Sequence, residues 1–315
     1  MFFRPKVKLF CKNGDSVRLN KVLHCTSRGR KPSSATFLNL MSKLKTFINQ
    51  ILHEGDSSWI FIIPGIFLLA LFVLPLFALF ARSINADFFG NAFSEQAFKA
   101  LRLSLFTSTI TTACAVIFGT PLAYMLARWK FRFKSWVELL VDLPIVLPPS
   151  VAGLALLVAL GRRGLFGSML FTTFGISLPF TTLAVILAQT FVAAPLYVRS
   201  ARIGFTGIDK QLEESARVEG ANHWQLFYEV MFPLANRSLL SGAILTFTRS
   251  LGEFGATILF AGNMEGITQT MPMAIYLGFE RNLGVAMALS VVLVVVSVAL
   301  LMLTKKLERE EEQGA

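Results

Sequence analysis

Apolar residues in this chain come in long runs rather than in the short alternations of a soluble core. Six runs are long enough to cross a bilayer, which takes ~20 helical residues: 59–80, 103–127, 139–160, 178–198, 238–262 and 283–304. Six crossings put both ends of the chain on one side of the membrane, and Lys/Arg choose that side. With the ends inside, the inner connections carry Arg128, Lys130, Arg132, Lys134, Arg199, Arg202, Lys210, Arg217, Arg237, Lys305, Lys306 and Arg309. The outer ones carry only Arg82, Lys99, Arg102, Arg162, Arg163 and Arg281. The pattern therefore predicts an all-α integral membrane protein of six transmembrane helices, with both termini and the 209–233 connection in the cytoplasm. Its parts are a basic extension (1–56), the six-helix body (57–307) and a charged tail (308–315).

The 209–233 connection has a design of its own, DKQLEESARVEGANHWQLFYEVMFP. Asp209 is placed to cap a helix whose first turn carries Glu213 and Glu214, where acids suit the helix dipole. Glu213 and Arg217 stand four apart, the favourable order for a surface pair. Ala216 and Gly220, also four apart, leave a notch with almost no side chain. Gly220 ends this helix, and Asn222 with Gln225 reads as the capping box of a second. Trp224, Leu226, Phe227, Val230 and Met231 lie on the second helix, which Phe232-Pro233 is expected to stop. The alternative is an amphipathic helix lying on the membrane surface. It explains Trp224 and Phe227 but not the notch.

Polar groups inside the spans are the next signal. Thr107, Ser108, Thr109, Thr111 and Thr112 crowd the second run, where most hydroxyls are expected to bond back to their own backbone or to join helices. The third run holds Asp142, Pro144 and the pair Pro148-Pro149, which should break it; broken helices persist at membrane depth where they line a cavity or are buried in protein. The fifth run carries TRSLGEFGAT, 248–257. Arg249 and Glu253 lie well inside it, four apart on one helical face, and each alone is costly there, so they should pair. The pair is either structural or placed beside a path for an anion, with Ser250 and Thr257 on the same segment. Gly252 and Gly255 should let neighbouring helices approach closely. Beyond it, Asn263, Thr268, Gln269 and Thr270 turn the chain back towards the membrane.

Composition narrows the classes. The chain is 54% hydrophobic and 16% charged, with a formal charge of +11. Residues 1–50 hold eleven Lys/Arg and a single acid, Asp15, so the charge belongs to the tail and nucleic-acid binding is not indicated. Three readings fit residues 1–56: a disordered cytoplasmic tail touching anionic lipid, an organellar transit peptide, or an upstream start with Met41 as the true beginning. Cys11, Cys25 and Cys114 have no paired or metal-like spacing, and His24, His53 and His223 are scattered. No G-x-x-x-x-G-K occurs, so the chain has no phosphate loop. No catalytic residue, metal ligand or bound cofactor is expected. A proton- or sodium-coupled transporter using Asp142 and Glu253 is a rival class. An intramembrane enzyme is a weaker one, since no span sets a nucleophile near a His.

Glu214-Ser215-Ala216, three residues, Gly220, nine residues, then Val230-Met231-Phe232-Pro233 resembles the E-A-A…G…I-x-L-P loop of inner-membrane permease subunits of ABC importers. It departs at Ser215, Val230 and Phe232. The stretches 143–167, 249–263 and 268–276 are similar to molybdate permeases, and the related sulfate and thiosulfate permeases carry a similar G-E-[FY]-G segment. The likeness covers residues 58–305. It implies that the loop is a coupling helix docking on a separate ATPase through Glu214, Ser215, Ala216, Gly220, Ala221 and Pro233. It further implies a homodimer of this chain, two ATPase subunits that use ATP and Mg, an external molybdate-binding protein, and alternating access. Arg249, Ser250, Glu253 and Thr257 become candidates for the translocation path or gate. The expected membrane is the bacterial plasma (inner) membrane, with the plastid envelope as the alternative.

Overall fold

The computed structural model describes residues 59–83 and 88–313, which among themselves form helices and turns with no strand. The expected extension, 1–56, lies outside the described residues. Contacts divide the chain into two compact units, Met1–Ala70 and Leu71–Ala315. In the first, the described part is the start of helix α1 (Trp59–Ser83), whose apolar side chains such as Phe61 and Phe67 are exposed.

The second unit carries the remaining elements. After the short α2 (Phe88–Ala92), Ser94 caps the long α3 (Glu95–Arg128), accepting from the Ala97 N–H at 3.2 Å. Then come α4 (Lys134–Val146), α5 (Pro149–Leu160) and α6 (Gly167–Phe174). Helix α7 (Thr182–Gly207) is capped by Thr181 and is followed by the short α8 (Lys210–Val218). Next, α9 (His223–Gln225) runs through a π-helical turn, Leu226–Met231, into α10 (Phe232–Leu251). Helices α11 (Gly255–Ala261), α12 (Met271–Arg281) and α13 (Leu283–Gln313) complete the chain.

Among the described residues, five helices are long and apolar enough to cross a membrane, and a sixth crossing results if α4 and α5 count as one. That pair is bent by 116°. The 139–160 run is therefore not one straight rod. Pro148 and Pro149 both lack an N–H, and each restricts the residue before it to extended backbone, which Leu147 adopts at φ −65°, ψ 135°.

Helices α3, α7 and α10 pack together through small residues. Ala115 and Ala123 of α3, Ala193 and Ala201 of α7 and Ala235 of α10 are all buried. Lipid is as apolar as leucine, so helices in a bilayer gain by close approach rather than by hiding large side chains. Many large ones are exposed, as Phe106, Ile117, Phe118 and Ile203 are, while Leu126, Tyr197 and Phe205 are buried among the small residues. A second cluster joins Ala152 of α5 to Val185 and Ala188 of α7 and to Ala256 and Phe260 of α11. Approach is close there, because a Cβ on Gly153 would meet the Ala256 carbonyl oxygen at 2.6 Å.

The fifth run departs from the expected single helix. Helix α10 stops at Leu251, residues 252–254 form a break, and α11 restarts the helix. Residues 263–282 then fold back into the bundle. Thr268, Gln269 and Thr270 are buried, and the Met271 N–H donates to Ser104 Oγ at 2.7 Å. Contacts at the two ends of the bundle agree with the span count. Gln96 Nε2 meets Gln269 Oε1 at 3.1 Å and Lys99 meets Glu265 at 3.5 Å at one end. Arg128 meets the loop after α7 at the other.

Candidate functional site

The connection after α7 forms much as its sequence dictates. Asp209 accepts from the Gln211 N–H at 3.0 Å to cap α8, and Arg217 Nη2 donates to Glu213 Oε1 at 2.7 Å. Gly220 turns the chain at φ +93°, a conformation that side chains rarely adopt. Asn222 Oδ1 accepts from the Gln225 N–H at 2.9 Å while Gln225 Oε1 accepts from the Asn222 N–H at 2.9 Å, a complete capping box. The notch is open: Ala216, Gly220, Ala221, Gln225, Glu229 and Val230 line a groove of ≈ 280 Å³ together with Glu219. Glu214, Ser215, Gly220 and Pro233 are exposed, and Ala216 and Ala221 are partly buried.

One expectation for this loop fails. Phe232-Pro233 does not stop the second helix, which continues as a span from His223 to Leu251. The π turn explains how: the Phe232 N–H bonds to the Phe227 carbonyl, five residues back. Pro233 then sits in the first turn of α10, where a missing N–H is tolerated. The loop is thus the root of a membrane helix rather than a free hairpin. Leu226 and Met231 are fully buried there, and the Phe227 ring lies 5.2 Å from Tyr124 of α3 and 6.1 Å from Phe205 of α7.

The second cluster lies at the break between α10 and α11. Arg249 Nη1 approaches Glu253 Oε2 at 2.6 Å, so the expected pair is present. The contact is off the line of N–H donation, leaving it one of charge more than of aligned hydrogen bonding. The pair does not lie on one continuous helical face, since Glu253 follows the end of α10. Its other oxygen, Oε1, accepts from the Ala256 N–H at 3.0 Å and so caps α11. Glu253 is 1% exposed while Arg249 is 35% exposed, so the carboxylate is sealed in and the guanidinium faces open space. Gly255 does permit close approach, its Cβ position lying 2.8 Å from Pro149 Cβ, whereas Gly252 meets only its own helix.

Ser250 and Thr257 are both fully buried. Ser250 joins a polar chain through the bundle: Thr111 Oγ1 donates to Gln189 Oε1 at 3.1 Å, and Gln189 Nε2 donates to the Ser250 carbonyl at 3.1 Å. The Thr257 and Ser108 hydroxyls are buried without a hydrogen-bond partner. Thr109 and Thr112 bond to carbonyls of their own helix, as expected for most span hydroxyls. Helix α10 carries the root of the loop at Pro233 and Arg249 near its other end, about 24 Å apart along the axis.

Gln189 and Arg128 make contacts that no local sequence pattern marks. Gln189 itself carries a signal, as the lone amide in the 178–198 run, where a polar group must find a partner. Arg128 carries none beyond its place among the inner positive charges. Its role depends on α7 and α8 returning to the end of α3, which no local pattern announces.

Comparison with known proteins places this architecture. Residues 119–309 match the family model described as binding-protein-dependent transport system inner membrane component. The chain is 38% identical over 211 residues to the molybdenum transport system permease protein ModB of Escherichia coli K12, covering 67% of this chain and 91% of that one. It is 40% identical over 239 residues to the protein of the same name from Mycobacterium bovis, covering 76% and 90%. A crystal structure of a bacterial ABC transporter that imports the acidic polysaccharide alginate superposes with a TM-score of 0.67 at 17% identity, over 85% of this chain and 99% of that one; this shows the fold alone. By the family match and these identities, the chain belongs to the binding-protein-dependent transport system inner membrane components, the membrane-embedded, non-catalytic subunits of such transporters.

Proposed function

We propose that this chain is the permease subunit of an ATP-driven importer of molybdate, with tungstate as a second substrate of the same geometry. The observation that carries the reading is its 38–40% identity to molybdenum permeases from unrelated bacteria, along most of their length. The complex would hold two copies of this chain, two ATPase subunits that bind ATP and Mg, and an external binding protein that delivers the anion. The chain itself would hold no cofactor, and its membrane would be the bacterial plasma membrane.

In this reading the exposed groove around Ala216, Gly220 and Ala221, with Glu214 and Ser215 beside it and Pro233 at its root, receives the ATPase. A concave surface with a floor of small residues, Ala216, Gly220 and Ala221, and a rim carrying Glu219, Gln225 and Glu229, suits a protruding partner. Arg249, Ser250, Glu253 and Thr257 lie at the path. A tetrahedral dianion passing Arg249 meets a cation whose charge is half-compensated by Glu253, so it is attracted without being trapped. The buried hydroxyl of Thr257 offers a neutral donor of the kind that holds an oxyanion weakly.

The substrate is tested by uptake of labelled molybdate into cells carrying this chain with its ATPase and binding protein. Block by excess tungstate but not by sulfate is expected. Strong block by sulfate would move the substrate to the sulfate and thiosulfate class.

A further inference from the structure

Helix α8 has a problem of attachment. None of its residues is fully buried and Ala216 is the one that packs against the core, so apolar packing does only part of the work of fixing how it stands on the membrane body. Charge does the rest. Arg128, at the C-terminal end of α3, is 7% exposed; its Nη2 donates to the Ile208 carbonyl at 2.9 Å, and its Nη1 lies 3.7 Å from Glu213 Oε2. Glu213 is 14% exposed and shares its other oxygen with Arg217. One guanidinium therefore joins the end of α3, the end of α7 and the first turn of α8. The position also suits it electrically, because a cation at a helix C-terminus meets the negative end of the dipole. Tyr124, one turn earlier on α3, packs edge-on against Phe227, on the second helix of the same connection.

We propose that Arg128 is a positioning residue for energy coupling: through Glu213 and the Ile208 carbonyl it locks α8 to α3, so that displacement of the loop is passed to a membrane helix rather than absorbed at the Ile208–Asp209 joint. The inference rests on the reading of α8 as the ATPase-docking element. A guanidinium is suited to the task because one nitrogen donates to the Ile208 carbonyl while the other keeps a charge contact with Glu213 at 3.7 Å, two directions set by one rigid plane that a lysine ammonium lacks.

The test uses the complete complex of this chain, its ATPase and its binding protein in liposomes, reading anion uptake and ATP hydrolysis together. A photoreactive probe attached at Ser215→Cys, in a chain whose own cysteines are replaced by Ala, first reports whether the loop touches the ATPase. If no cross-link to the ATPase forms, the docking reading fails and this inference falls with it. If the cross-link forms, Arg128→Gln should keep the ATPase bound and hydrolysing, while anion imported per ATP falls about fivefold or more. Glu213→Gln should do the same, and the double variant should be no worse than either alone. Arg128→Lys, which keeps the charge in case the neutral variant does not assemble, should give an intermediate ratio. An unchanged ratio in Arg128→Lys or Arg128→Gln, or additive losses in the double variant, would overturn the proposal.

Discussion

At the loop end of the bundle, Arg128 reaches a carbonyl 80 positions away; at the break after α10, Arg249 reaches a carboxylate four positions away. Both guanidiniums belong to last turns of long helices, and both face a largely buried Glu. They differ in what they join. The first ties three separate elements across the fold, so its geometry changes only if helices move against one another. The second spans one helix interruption, where Glu253 holds Arg249 with one oxygen and caps α11 with the other. A long-range tie is placed to carry motion between helices, whereas the local one stabilises the break between α10 and α11.

The largest stability effect should come from breaking the local pair. Glu253→Ala leaves α11 uncapped and Arg249 unpaired, and should cost about 3 kcal/mol, towards the lower end for a buried pair because Arg249 keeps some solvent. Thermal unfolding of the detergent-solubilised protein reads it. A smaller loss, about 2 kcal/mol, is expected for Gly153→Ala, whose Cβ has no room beside the Ala256 backbone. If that variant were neutral, the packing of α5 on the segment holding Glu253 would be looser than described.

Turning to the loop, Gly220→Ala should cost about 1 kcal/mol, since its Cβ meets nothing within 4 Å but must adopt φ +93°. Filling the notch at that position would therefore disturb folding as well as docking, which makes Ala216→Leu the better way to fill the groove. Uptake should suffer more than stability in that variant. Least of all, Arg217→Ala should cost only about 0.3–0.5 kcal/mol, because its pair with Glu213 is solvent-exposed on the Arg side and Arg128 remains to hold the carboxylate. A loss as large as that of Glu253→Ala would mean that Arg217, not Arg128, is the main tie.

Much of this was legible in the chain. Span number, the Asp209 and Asn222 caps, the Gly220 turn and the Arg249–Glu253 pair all follow from rules acting within four residues or within one apolar run. Reading failed where a local rule was overridden by a neighbour. Pro233 ought to end a helix, but the π turn before it supplies a carbonyl register that does not need its N–H. Glu253 reads as helical by spacing, yet the chain breaks at Gly252 and uses the carboxylate as a cap. The Arg128 tie and the Thr111–Gln189–Ser250 chain join residues far apart in sequence, so only the folded arrangement reveals them.

The most direct test compares uptake by this chain alone in liposomes with uptake when its ATPase and binding protein are added, with and without ATP. Anion accumulation is expected only with both partners and ATP present, undiminished when the membrane potential is collapsed. Accumulation by the chain alone that disappears with the membrane potential would contradict that expectation and point to an ion-coupled carrier.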